Sequence, residues 1–85
     1  MKLNVLYFAS VRERLGKDAE EIEVPFEVST VADLRAHLRM RGGEWGEVFS
    51  DKRLVKVAVN QDLAGPTAPI KAGDEIAFFP PVTGG

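Results

Sequence analysis

The final residues, Pro80-Pro81-Val82-Thr83-Gly84-Gly85, carry the pattern with the clearest chemical use. Two consecutive prolines cannot extend a β-ladder, and they bias the backbone to an extended, polyproline-like path. Six extended residues reach about 20 Å, enough to project a tip well beyond a small globule. Gly84 and Gly85 have no Cβ, so such a tip can thread a narrow channel and let another protein's atoms approach its backbone closely. Gly85 also carries the α-carboxylate. A stiff arm, a slim tip and a carboxylate together suit a group that another enzyme activates. A Gly-Gly end alone reads equally well as a frayed terminus. The apolar run Ile76-Ala77-Phe78-Phe79 and the two prolines before it favour the functional reading.

The rest of the chain offers little competing chemistry. Its 85 residues contain no cysteine and one histidine, which excludes a disulfide framework, a thiolate nucleophile and a multi-histidine metal cage. A net charge of −2 argues against a general nucleic-acid or anionic-membrane binder. No apolar run approaches the roughly 18–20 residues of a membrane span. The start, Met1-Lys2-Leu3-Asn4, breaks into Ser10-Val11-Arg12-Glu13-Arg14 without a signal-peptide pattern, so a cytoplasmic location is expected. His37, on the flank of a helical apolar stripe, reads as a boundary residue. Glu20, Glu21 and Glu23 are possible paired carboxylates, but they fall on an expected solvent face, where they solubilise a sheet edge. Gly42-Gly43 has neither a GxGxxG context nor a Walker lysine. Arg35 and Arg39, at i and i+4, read as a solvated helix face.

The arm needs a scaffold, and the hydrophobic pattern supplies one. Residues 3–9 read as a strand with Leu3, Val5 and Tyr7 on one face and Leu6 and Phe8 on the other. A strand apolar on both faces belongs in the middle of a sheet. Residues 10–18 leave room for one helical turn before Gly16. In residues 21–27, Ile22, Val24 and Phe26 alternate with Glu21, Glu23 and Glu27, and Pro25 marks an edge strand. Thr30-Val31-Ala32-Asp33 is a capping-box variant opening a helix whose stripe is Val31, Leu34 and Leu38. Arg39 and Arg41 suit its negative end, and Gly42-Gly43 is expected to end it. Trp45, Val48 and Phe49 form a short plug for the core. Residues 54–59 are a strand with Val55, Val57 and Val59 on one face. Asn60-Gln61-Asp62 is turn chemistry, residues 64–70 are expected to be irregular, and Ala72-Gly73-Asp74 is a second turn. Residues 75–79 form the last strand, with Ile76 and Phe78 on one face and Ala77 and Phe79 on the other.

Two hairpin-like units flank one helix, and the first and last strands are both apolar on both faces. Pairing those two in parallel at the sheet centre, with the helix across one face, gives an α+β, β-grasp (ubiquitin-like) roll with a mixed sheet and an extended C-terminal tail. The expected division is a β-grasp domain over residues 1–79 and a flexible Gly-Gly tail over residues 80–85.

These residues resemble the small, sulfur-carrier subunit of molybdopterin synthase. The resemblance spans essentially the whole chain. It runs through Val5-Leu6-Tyr7-Phe8-Ala9 with Val11-Arg12-Glu13, Thr30-Val31-Ala32-Asp33-Leu34-Arg35 and Ala58-Val59-Asn60-Gln61. Its most specific block is Gly73-Asp74-Glu75-Ile76-Ala77-Phe78-Phe79-Pro80-Pro81-Val82-Thr83-Gly84-Gly85. It implies that an ATP-using, E1-like adenylyltransferase converts the Gly85 carboxylate to an acyl-adenylate, and that a persulfide-bearing sulfurtransferase system turns this into a thiocarboxylate. The tail then enters the large synthase subunit and donates sulfur to cyclic pyranopterin monophosphate, two transfers completing the dithiolene of molybdopterin. Gly85 is then the reacting residue and Gly84 supplies clearance. Pro80, Pro81, Val82 and Thr83 form the inserted arm, and Phe79 belongs to an apolar docking patch beside it, with Phe78 in the core. The resemblance implies a non-catalytic subunit with no bound cofactor and no metal, whose acid/base groups lie in its partner, in a heterotetramer of two large and two small subunits. The alternatives are a thiamine-type sulfur carrier, typically shorter and without the Phe-Phe-Pro-Pro-Val-Thr run, a ubiquitin-like modifier joined to lysines through Gly85, and a plain interaction domain.

Overall fold

The structure, a computed structural model, describes residues 1–81. Four of the tail positions singled out above, Val82, Thr83, Gly84 and Gly85, lie outside the described residues. The elements run β1 (Lys2–Tyr7), α1 (Ala9–Leu15), β2 (Ala19–Glu23), α2 (Val31–Arg39), α3 (Gly43–Val48), β3 (Lys56–Val59), β4 (Asp62–Ala64) and β5 (Glu75–Phe79). They build one mixed sheet in the order β2-β1-β5-β3-β4. β1 and β5 lie parallel at its centre, with Val5 beside Ile76 and Tyr7 beside Phe78. This is the β-grasp arrangement expected from the two doubly apolar strands.

All three of these helices cover the same face of the sheet. Leu3, Val5 and Tyr7 from β1, and Ile76 and Phe78 from β5, are buried in one cluster with Val11 of α1, Leu34 and Leu38 of α2, and Val48 and Phe49 at the end of α3. Aromatic rings fill the end nearest α3. Phe49 meets Phe78 edge-on with centroids 4.9 Å apart, and Tyr7 stacks on Phe78 at 6.3 Å. Such pairs add to area burial because ring edges and faces carry opposite partial charge.

Several local expectations need correction. The segment after β1 is a seven-residue helix, α1, rather than one turn, and it ends at Gly16 in the left-handed region (φ 68°). α2 has the full capping box, with Asp33 N–H donating to Thr30 Oγ1 and Thr30 N–H donating to Asp33 Oδ2. It ends at Met40 rather than at the two glycines; Gly42, at φ 76°, instead turns the chain into α3. β2 occupies a sheet edge but stops at Glu23, before Pro25, and Phe26 is 83% exposed instead of continuing the buried row of Ile22 and Val24. Proline cannot continue the ladder, so alternation past it has no sheet to point into. Asp62–Ala64 form β4, which takes the last residue of the expected turn and the first of the stretch expected to be irregular. Asn60 and Gln61 both take positive φ (50° and 72°), the two-residue turn that matches strand twist. Asn60 also ties this hairpin to the sheet centre: its Oδ1 accepts from Glu75 N–H at 3.0 Å, and its Nδ2 donates to the buried Asp74 carboxylate at 3.0 Å.

Glu20 overturns the solvent-face reading. It pairs with Val5, so it points into the helix-covered side, where its side chain is 13% exposed. The Tyr7 hydroxyl donates to it at 2.7 Å and Arg41 at 2.8 Å, while the Arg41 guanidinium lies 4.3 Å over the Trp45 ring. Burial alone would raise the Glu20 carboxyl. The hydrogen bonds from Arg41 and Tyr7, with the charges of Arg41 and Lys17, outweigh it and hold the group below the usual carboxylate range. Burial and the bond to Glu20 push the Tyr7 phenol upward, so it stays neutral as the donor. A carboxyl whose folded pKa is depressed contributes stability above its unfolded pKa and loses it as pH falls through the folded value. Glu20→Gln is therefore expected to cost about 1 kcal/mol at neutral pH, after discounting the half-exposed arginine. The same change should make the acid limb of a stability–pH curve shallower below about pH 4.5, where the unfolded carboxyl titrates. Chemical denaturation across that range checks both, and an unchanged acid limb would contradict the assigned role.

Candidate functional site

The register of the sheet decides what surrounds the arm. With the helices on one side, the side chains of the intervening strand positions form the opposite face. Ala19 pairs with Leu6, Leu6 with Ala77, Ala77 with Ala58, and Ala58 with Leu63. An apolar row therefore crosses all five strands on the uncovered face. Leu63 is 78% exposed at one end of it. On one side of this row lie Glu21, Asn4 and Glu75, a polar row by the same register. On the other lie Phe79, paired with Lys56, and the exposed Phe8, whose N–H donates to Phe78 O at 3.0 Å and prolongs the central pairing. The apolar strip thus widens toward the end of β5 from which the arm leaves. A contiguous exposed apolar patch rimmed by polar residues marks an interaction surface.

Phe79 stands half-buried on this outer face and Phe78 is buried on the inner one, as the alternation requires. Pro80 and Pro81 follow, half-buried, with Pro80 set against a cavity of about 70 Å³ between α1 and residues 53–55. The arm thus starts from a seat between Val11 and Arg14 on one side and Leu54 and Val55 on the other. Central strands have neighbours on both sides, so β5 gives the arm a rigid base.

The other candidates resolve as structure. Arg35, read as a solvated cation, is a clamp: its guanidinium donates to the carbonyls of Phe49 (3.2 Å), Ser50 (2.7 Å) and Arg53 (2.6 Å). Those carbonyls end α3 and the loop after it, where a helix leaves acceptors unpaired. Arg39 pairs with Asp51 at 3.2 Å. His37 is half-buried on α2, and its ring makes no hydrogen bond among the described residues. Among the described residues no group of three or more His, Asp or Glu side chains is close enough to hold a metal, and no helix is long and apolar enough to cross a membrane.

The outer-face row of partly exposed Leu6 and Ala58 and exposed Leu63, with the buried Ala77 between Leu6 and Ala58, is not apparent from the sequence. β1 and β5 are apolar on both faces, which correctly places them at the sheet centre. Burial of both faces does not follow, because only one face is covered by helices.

The ThiS family profile matches residues 5–85, nearly the whole chain. The chain belongs to the ThiS family. Within it, the chain is 47% identical to the molybdopterin synthase sulfur carrier subunit of Haemophilus influenzae, over 98% of this chain and 99% of that one. Among solved structures it is similar to SAMP1 from Haloferax volcanii, with a TM-score of 0.78, 30% identity and complete coverage of both chains. It is also similar to a chain in the complex of subunits 1 and 2 of molybdopterin-converting factor from Helicobacter pylori, with a TM-score of 0.66, 26% identity and complete coverage of both.

Proposed function

We propose that this protein is the sulfur carrier of molybdenum cofactor biosynthesis, the small subunit of molybdopterin synthase. The observation that carries the reading is the 47% identity, over nearly the full length of both chains, to a molybdopterin synthase sulfur carrier subunit. The geometry supports it: a rigid central strand presents the Pro80-Pro81 arm at the wide end of an uncovered apolar face. In this reading the face docks on the large subunit while Gly85 reaches that subunit's active site.

The chemistry follows from the group at the tip. A carboxylate is a poor electrophile, and an E1-like adenylyltransferase using ATP gives the Gly85 carboxyl an AMP leaving group. A sulfurtransferase persulfide attacks the acyl-adenylate and expels AMP. A second thiol cleaves the resulting acyl disulfide, itself becoming oxidised, to leave a thiocarboxylate, a soft, ionised nucleophile. Its sulfur bonds to cyclic pyranopterin monophosphate, and water then cleaves the acyl–sulfur bond, which leaves sulfur on the product and returns the carboxylate for another cycle. The chain binds no cofactor of its own, and catalytic acid/base groups belong to the large subunit. Gly84 keeps the tip narrow, Val82 and Thr83 extend the arm, and the cycle operates in the cytoplasm.

Intact-mass measurement after incubation with ATP, the adenylyltransferase and a sulfur source tests this. The expected product has one terminal oxygen replaced by sulfur. An unchanged mass with competent enzymes would refute the carrier role. The second reading, a ubiquitin-like modifier, is favoured by the similarity to a protein named as a small archaeal modifier. A lysine-linked adduct in the same experiment would select it.

A further inference from the structure

A second surface lies on the side of the molecule away from the apolar row. A groove of about 510 Å³ runs between the outer side of α2 and residues 53–57, closed at one end by Ala64, Gly65 and Pro66. Its walls carry Arg35, Arg39 and Arg53 against one carboxylate, Asp51, while Lys56, paired with Phe79, turns its side chain to the outer face. That balance runs against the net charge of −2 of the whole chain. Asp51 is 93% exposed and engaged only with Arg39. The partners of Arg35 are neutral carbonyls, which position its charge without cancelling it. Among the described residues, Arg53 of the groove lining has no carboxylate within ion-pair distance.

The same groove contains an open backbone edge. Asn60 N–H donates to Glu75 O at 2.8 Å, so Asn60 turns its backbone groups toward β5. By strand alternation Ala58 and Lys56 do the same, whereas Val59, Val57 and Val55 turn theirs outward. Val59 and Val57 meet Asp62 and Ala64 of β4. Continuing that register places Pro66 opposite Val55. Pro66 has no N–H, and its carbonyl is taken by Ala32 N–H at 2.9 Å. The chain has turned away to cap α2, and the Val55 N–H and C=O face the groove with no protein partner among the described residues.

We propose that this groove is a docking site for an extended acidic segment of a partner protein, added as a short strand at Val55. Main-chain pairing supplies a backbone anchor, and side chains of alternate residues reach the arginines, the division of labour expected when a peptide extends a sheet edge. The excess positive charge selects an acidic sequence and speeds its encounter. A free small anion would engage the cations but leave the Val55 pair unused. The site is separate from the apolar face, borders the Pro80 seat through Arg53 and Val55, and does not depend on the carrier reading.

The test is an amide chemical-shift titration of the full chain with a synthetic peptide of alternating glutamate and valine, beside its lysine–valine counterpart. The acidic peptide is expected to shift and protect the Val55 amide and to perturb Arg39 and Arg53, with affinity falling as salt is added. Arg39→Glu with Arg53→Glu should weaken binding at least about tenfold, and neither side chain is part of the Arg35 clamp. The doubly reversed chain is first checked for an unchanged spectrum elsewhere. Absence of shifts at about 1 mM peptide, equal binding of the lysine peptide, or shifts confined to Leu6 and Ala77 would overturn the proposal. Concentration-dependent shifts at Val55 without peptide would make the occupant a second copy of this chain, and would overturn it too.

Discussion

A chain lacking Gly85 is expected to fold with an unchanged melting temperature, to bind the large synthase subunit nearly as before, and to form no measurable molybdopterin. The new terminal residue is again a glycine, Gly84, so the slim tip and the carboxylate both survive and only the reach changes. One residue of extended chain is about 3.3–3.6 Å. A displacement of only about 1 Å in a reacting group can cost about a hundredfold in rate, so a loss of at least about a hundredfold is expected here. Stability is spared because the buried cluster is built from residues between Leu3 and Phe78. Leu6→Glu, in the middle of the outer apolar row, should give the complementary result. It places a charge on the face that docks the large subunit in the proposed reading, and is expected to weaken that binding at least about tenfold. Product formation assayed with both variants, beside binding measured by titration calorimetry, checks the pair. Full product yield from the truncated chain would show that the reach set by Gly85 is not required.

Phe49→Ala is expected to destabilise the fold by about 3–5 kcal/mol, a large part of the total for a domain of this size. Phe49 is fully buried, packs edge-on against Phe78 at 4.9 Å and stacks with Trp45 at 6.1 Å. Its carbonyl also accepts from Arg35, so the cavity opens beside the clamp that holds the loop after α3. Leu63→Ala, on the exposed face, should stay within about 0.5 kcal/mol. Urea denaturation of the two variants separates a core residue from a surface residue of similar hydrophobicity. Equal effects would contradict the assignment of the two faces.

The contrast between Phe49 and Leu63 shows what was legible beforehand. The capping box at Thr30 and Asp33, the stripe of Val31, Leu34 and Leu38, the plug at Val48 and Phe49, and the parallel pairing of the first and last strands all follow from local periodicity and capping chemistry. Glu20 was misplaced because alternation was counted from Glu21 onward, whereas the strand begins at Ala19 and pairs Glu20 with Val5. Phe26 was misplaced because Pro25 ends the ladder whose face it was assigned to. Arg35 was misread because its acceptors are carbonyls 14 to 18 residues away, and nothing in the local sequence marks them.

By itself the sequence determined the main strands and the capped helix, because side-chain alternation and capping act over a few residues, while β4 and the ends of β2 and α2 were set by the fold. It also carries the Pro-Pro and Gly-Gly pattern on which the proposed chemistry of the tip rests. Only the tertiary structure decided which apolar face the helices cover, and hence that Leu6, Ala58 and Leu63 line the uncovered face around the buried Ala77. It also decided that Glu20 and Arg35 serve the scaffold while Val55 is left with an open edge. Burial and pairing depend on residues far apart in the chain, and their energy is realised only when the sheet brings those residues together.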